Sequence, residues 1–412
     1  MVSGYFDHAA AAPLLPEARE AMLTFLGDEF GNPSSLHRYG NKPREAIENA
    51  RAQVAALINS RPDDIVFTAS ASESNNLAVK GLALARRDKG RHVIISAIEH
   101  VSVLEAAKSL TLSGFEVTQV PVSPEGVVEP AKLTAAIKTD TVLASVMHAN
   151  YEVGTIQNVK ELAGIARRFR VSFHSDGTAA VGRIPVDVTD LGVDAYTFPA
   201  MSVYGPKGAA ALYLKRGTRI QSLIEGGFQE KNRRAGTENV AAIAGFGAAA
   251  AITKTKLPEW SATMTKLAQR IFSELPQRLD HVIFTGSMSN RIPGQVSVVV
   301  EFVEGESMLL FLDDEGIAAA SGSSCSAKTL KASHVLLAMG LPHTKAQSSL
   351  VLTLGKDSTD EDVTHFLDKL PPMVQRLRQM SPLYAKFQKG EDPYAVKPGD
   401  SCEEEHHDEE HE

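Results

Sequence analysis

Short apolar runs punctuate the first half of the chain. They fall at 64–68 (DIVFT), 92–96 (HVIIS), 141–147 (TVLASVM), 173–176 (FHSD), 194–198 (DAYTF) and 209–214 (AALYL with its leading alanine). Each is followed by small or polar residues, the pattern of strands buried on both faces of a parallel sheet. Between and before them the apolar positions recur at helical spacing. One helix is expected from Pro16, and a second from Pro43 to about Ile58, with Ile47, Ala50, Val54 and Leu57 on one face. The turn-rich stretch GNPSSLHRYG, 31–40, reads as the loop between them. Strand, turn and helix alternate from Asp64 to Leu214, which predicts an α/β domain around a mainly parallel sheet of about seven strands.

After this the rhythm changes. Small apolar residues at Val240 to Ala251 predict a packed helix, and Thr255 to Leu275 a long amphipathic one. Strands near Val282 to Phe284 and Val296 to Val300 and a helix at Met308 to Asp313 then form a smaller α/β unit. The expected organisation is 1–15 as an N-terminal segment of the small domain, 16–254 as the large domain, 255–388 as the small domain, and 389–412 as a disordered acidic tail.

Composition changes the picture in two places. The net charge is −8, yet the last twelve residues, SCEEEHHDEEHE, hold seven acids and no Lys or Arg. Seven of the eight net negative charges therefore belong to the tail. The body is nearly neutral, and no nucleic-acid surface is expected. Two cysteines in 412 residues build no disulfide framework and suit a reducing compartment. No apolar run of bilayer length and no signal-peptide pattern at Met1-Val2-Ser3-Gly4 stand out, so a cytoplasmic protein without membrane contact is expected. Cys402, His406, His407 and His411 could bind a divalent metal weakly, but their spacing fits no structural zinc pattern and no metal site is assigned.

Several residues carry candidate chemistry. Asp176 ends a strand, where open α/β sheets bind ligands. The turn ASASES, 69–74, opens a helix, so its backbone N–H groups suit a phosphate, although a well-capped helix reads the same way. His100 stands at another strand end, where solvated or capping histidines are common. Cys325 lies in SGSSCS, a polar loop that lets a thiol reach outward, unlike an inert core cysteine.

Taken together and in order, these motifs resemble the cysteine desulfurases, in the class V aminotransferase group of pyridoxal phosphate (PLP) proteins, over roughly residues 4 to 375. The resemblance implies the PLP-transferase fold type I and a set of roles. Ser72 would stand at the phosphate-binding threonine, and His100 would stack on the pyridine ring. Asn150, in Asn-x-Glu-x-Gly, would reach the 3-hydroxyl, and Asp176 would keep the ring nitrogen protonated. Thr237, in the Arg-x-Gly-Thr segment, would reach the phosphate of a second subunit, which implies a homodimer. Cys325 matches the catalytic loop cysteine that carries persulfide.

The chain departs from the family at five positions. Ala179 replaces a glutamine, Pro199 a phosphate-binding serine, Met201 a histidine, and Val351 the arginine that clamps the substrate carboxylate. Ser202 stands where the family has the lysine that holds PLP as an imine. A hydroxyl cannot replace that amine. Lys207 lies five positions further on, in a separate part of the turn. The expected protein is therefore a catalytically degenerate desulfurase homologue, with PLP bound weakly or absent. It would act through Cys325 in sulfur transfer or iron–sulfur assembly, with a sulfur donor or acceptor protein as partner. Two alternatives stay open: an active desulfurase with noncovalent PLP, and a structural or regulatory subunit paired with an active paralogue.

Overall fold

The computed structural model describes residues 4–322 and 332–394. Ten strands account for both sheets. They are β1 (Ile65–Thr68), β2 (His92–Ser96), β3 (Glu116–Val120), β4 (Thr141–Ser145), β5 (Ser172–Asp176), β6 (Ala195–Pro199), β7 (Ala210–Leu214), β8 (Val282–Phe284), β9 (Gln295–Val300) and β10 (Ser349–Thr353).

The large sheet has the order β1-β7-β6-β5-β4-β2-β3. The pairs β2–β3, β2–β4, β4–β5 and β5–β6 are parallel, and β7 runs antiparallel to both β6 and β1. Six of its seven strands are buried along their whole length; β3, at the edge, is largely exposed. This explains the unbroken apolar runs: helices cover both faces, so no strand needs a polar side. β3 lacked such a run because its side chains are largely exposed, unlike those of β1 at the opposite edge, which are buried.

The second sheet, β10-β9-β8, is antiparallel. The N-terminus joins it: Phe6 N donates to Ala318 O at 2.8 Å, and Thr353 N donates to Phe6 O at 2.7 Å. A single helix, Val240–Arg278, bridges the two sheets, so the expected break at 254/255 falls inside a continuous element. It is also long and apolar enough to cross a membrane, an apolar run the sequence reading overlooked. Its apolar face is instead taken up in packing, with Ala241, Ala242, Ile243, Phe246, Ala249, Ala250, Met264 and Ile271 all buried.

The second helix starts earlier than expected, at Arg38 rather than Pro43, and runs to Leu57. Pro43 sits inside it and supplies no N–H to the carbonyl four residues earlier, that of Tyr39. Gly31 lies against that carbonyl so closely that a Cβ there would stand 1.8 Å from the oxygen. A predicted loop is thus partly helix, and its first glycine is required by a backbone approach.

Candidate functional site

β4, β5 and β6 carry their carboxyl ends to one side, and the small sheet closes over them. Between the two lies a cavity of about 430 Å³, within the range of small-molecule sites. Ser72, His100, Asp176, Ala179, Pro199, Met201 and Val351 all line it, so most of the positions singled out in sequence converge there.

Asp176, the last residue of β5, is 3% exposed. Its Oδ2 accepts from Asn75 Nδ2 at 2.7 Å and its Oδ1 from the Thr178 backbone N–H at 2.9 Å, which fixes the carboxylate's direction. Ser72 is the second residue of the helix Ala71–Leu84, whose N-cap Ser70 accepts from Glu73 N at 3.1 Å. His100 caps the helix Val101–Leu110. Its Nδ1 accepts from Ser102 N at 3.2 Å, which leaves the proton of the neutral ring on Nε2. The ring meets Tyr151 edge-on at 5.5 Å.

Three expected residues do not line the cavity. Asn150 is fully buried, and its amide is taken up by backbone groups of its own turn and of Ile98. Its Oδ1 accepts from Glu152 N and Val153 N at 2.9 Å each, and its Nδ2 donates to Ile98 O at 3.1 Å. Thr237 is exposed, on the loop that Glu230 anchors. Arg51 holds that loop through a bidentate pair to Glu230, 2.8 Å at each contact, and Phe67 N donates to the same carboxylate at 2.9 Å. Ser202 lies in the turn Ala200–Val203, and its Oγ donates to Thr178 O at 2.7 Å. It faces an adjoining pocket of about 50 Å³ lined also by His8, Arg183 and Gln295, which shares Thr178, Ala179 and Met201 with the larger cavity. Cys325, like the tail with Cys402, His406, His407 and His411, lies outside the described residues.

Two buried carboxyls escaped the sequence reading as individual residues. Glu99 is fully buried. Its Oε1 accepts from Ser96 Oγ at 2.6 Å and Met147 N at 2.8 Å, while Oε2 has no partner. Burial pushes it up to about 8, against those two hydrogen bonds and helped by the charge of Asp176. Glu152 is 2% exposed and lines the cavity. Its Oε2 accepts from Ser333 Oγ at 2.6 Å, Oε1 has no partner, and burial pushes the group up to about 7. Gly322 lies on it so closely that a Cβ would stand 1.9 Å from Oε1. The signal was there: Glu99 follows a buried strand, and Glu152 sits among apolar and small residues. Among the described residues lining the cavity, Lys207 carries the only amine and no arginine contributes.

Residues 4–366 match the class-V aminotransferase family. The chain is 47% identical over 382 residues to "Cysteine desulfurase IscS 1" of Archaeoglobus fulgidus, covering 93% of this chain and all of that one. It is 45% identical over 378 residues to "Cysteine desulfurase IscS" of Dictyoglomus turgidum, covering 92% and 96%. Among solved structures, a "NIFS-LIKE PROTEIN" superposes with a TM-score of 0.86 at 33% identity over 91% of this chain and all of that one. "SspA in complex with cysteine" gives 0.76 at 31%, over 86% and 100%. With the PLP-transferase architecture and matches over nearly its whole length, the chain belongs to the cysteine desulfurase family.

Proposed function

We propose that this protein is a desulfurase homologue that has lost turnover on PLP and handles sulfur through Cys325, as a persulfide acceptor or carrier or as a thiolate ligand in iron–sulfur assembly. The observation behind this reading is Ser202: a hydroxyl stands at the family's lysine position and is committed to Thr178 O. Two positions would suit PLP: Asp176, for the ring nitrogen, and Ser72, at the helix start where a phosphate would sit, and both line the cavity. The aldehyde end would not. No side chain there supplies an imine from the expected position, and Ala179, Pro199, Met201 and Val351 offer no donor to a phosphate or a carboxylate.

Sulfur acceptance needs none of those groups. The Cys325 thiolate attacks the outer sulfur of a donor's persulfide, a new S–S bond forms, the donor's S–S bond breaks, and the donor leaves as thiolate. The exchange involves no net redox change. A homodimer through the exposed Thr237 loop and a cytoplasmic setting, where thiols stay reduced, belong to the same proposal.

The test is persulfide labelling by an active desulfurase supplied with cysteine. Label should reach the wild-type chain and be lost in Cys325→Ser. Sulfide or alanine released from cysteine by the purified chain itself would instead establish an active PLP enzyme.

A further inference from the structure

Two residues flank the stretch that carries Cys325, and both stand on one carboxyl. On one side, Ser333 Oγ donates to Glu152 Oε2 at 2.6 Å. On the other, Gly322 lies over Oε1, and a Cβ there would also stand 3.0 Å from Ser333 Cβ. The two ends are therefore side by side, with Glu152 beneath them. Each has a further partner: Gly322 N donates to Ser349 Oγ at 3.2 Å, and Ser333 Oγ accepts from Leu336 N at 3.2 Å, capping the helix His334–Ala338.

Glu152 itself is held from behind. Its N–H donates to Asn150 Oδ1 at 2.9 Å, and Gln295 Nε2 donates to Tyr151 O at 2.9 Å and to Glu152 O at 2.8 Å. A buried carboxyl on a fixed turn, with one oxygen bonded to one flanking residue and the other covered by the second, is an anchor common to both ends.

We propose that Glu152 is a positioning residue for Cys325, tying through its carboxyl the two ends of the stretch that presents the thiol. This rests on the sulfur-transfer reading for the role of Cys325, and it names the residue that sets where that thiol is offered.

The covered oxygen makes the tie depend on a proton. An ionised Glu152 would carry charge on Oε1 with no donor and with Gly322 over it, so the tied form favours the neutral carboxyl, in line with the rise to about 7. Released into water, the group titrates near its ordinary 4.5. The tie is complete below about pH 5, weakens by up to about tenfold per pH unit above that, and levels off past 7. Asp7, His100, Asp176 and Lys207 share the cavity wall with Glu152; His334, beside Ser333, meets Glu99 O; Arg291 packs against Gly154. Those groups, Glu99 included, titrate alike in wild type and in Glu152→Gln, so the difference between the two chains isolates Glu152.

The test is amide exchange at Gly322 and Leu336 in the full-length protein from pH 5 to 8, corrected for intrinsic rates and referred to the amides of β5, which report global unfolding. Protection should fall at least tenfold further in wild type than in Glu152→Gln, which keeps the shape of the neutral acid. Ser333→Ala, which leaves Glu152 in place, should lower protection at Gly322, the opposite end, at least tenfold at pH 5. Alkylation of Cys325 by iodoacetamide in a Cys402→Ser background reads the thiol: its pH profile should show a second step below pH 7 besides the thiol's own ionisation, and Glu152→Gln should lose that step. Superimposed profiles for wild type and Glu152→Gln, or wild-type protection at Gly322 in Ser333→Ala, would each overturn the assignment. Failure of the sulfur-transfer reading is seen separately, as persulfide label that never reaches Cys325, and leaves exchange and alkylation as they are.

Discussion

Glu99 offers a direct check on the electrostatics beside the cavity. It is fully buried, with one oxygen taken by Ser96 and Met147 and the other unpaired, and burial pushes it up to about 8. In the unfolded chain a glutamate loses its proton near its ordinary value of 4.5. Between these limits the folded state binds the extra proton, so stability is greatest below about pH 5 for this group and falls as pH rises towards 8. The slope for one group is at most ~1.4 kcal/mol per pH unit, giving on the order of 4 kcal/mol from pH 5 to 8. An unfolding entropy of ~2 cal/mol/K per residue over the whole chain converts this to roughly 4–5 °C in Tm.

Glu99→Gln keeps the acceptor for Ser96 and Met147 and cannot ionise. At pH 6 it should unfold within about 1 kcal/mol of wild type, because it replaces a group already neutral. Its Tm should fall less than the wild type's between pH 5 and 8, by up to those degrees. Glu152, pushed up to about 7, leaves a residual slope that the double variant with Glu152→Gln removes. On the acid side His8, His148 and His174, each held down to about 4 by burial, cost stability as pH falls below 6.5, with or without Glu99. Tm measured at half-unit pH steps reads all of this. A loss of several kcal/mol in Glu99→Gln at pH 6, or a pH slope identical to wild type, would refute the reasoning by showing a charge that the fold requires.

Arg51→Met strands the buried Glu230 carboxylate and should cost about 3–5 kcal/mol in urea unfolding, most of it regained in the double variant with Glu230→Leu. Gly322→Ala drives a methyl against Glu152 Oε1 and should cost about 1–3 kcal/mol, with the penalty reduced when Glu152→Ala opens the space; equal penalties in both backgrounds would mean the contact is not made.

The sheet was legible because β2 and β5 to β7 are buried on both sides and so must be apolar throughout, which a short run reveals at once. β3 was not, since its exposed edge needs no such run. The start of the second helix was hidden by Pro43 and by turn formers at 31–40. What admits a helix there is the close packing of Gly31 on Tyr39, a contact between residues no local pattern links.

At the site, the motif positions converge as their strand-end placement implied. Asn150 does not line the cavity: its Oδ1 accepts from the backbone of its own turn and its Nδ2 donates to Ile98 O, partners that no local pattern in the sequence shows. Glu99 and Glu152 stand in motifs but were given no role of their own, because a sequence shows a carboxylate's identity but not its burial. Burial, rather than identity, is what holds these two close to neutral.

Ser202 stands where PLP would need an amine in our reading, and the absorbance spectrum with added PLP tests this most directly, followed by borohydride reduction and mass analysis. Wild type should show no imine band and no trapped lysine, while Ser202→Lys with Met201→His should gain both. An imine band in wild type, with the cofactor trapped on Lys207 or on any other lysine, would contradict it.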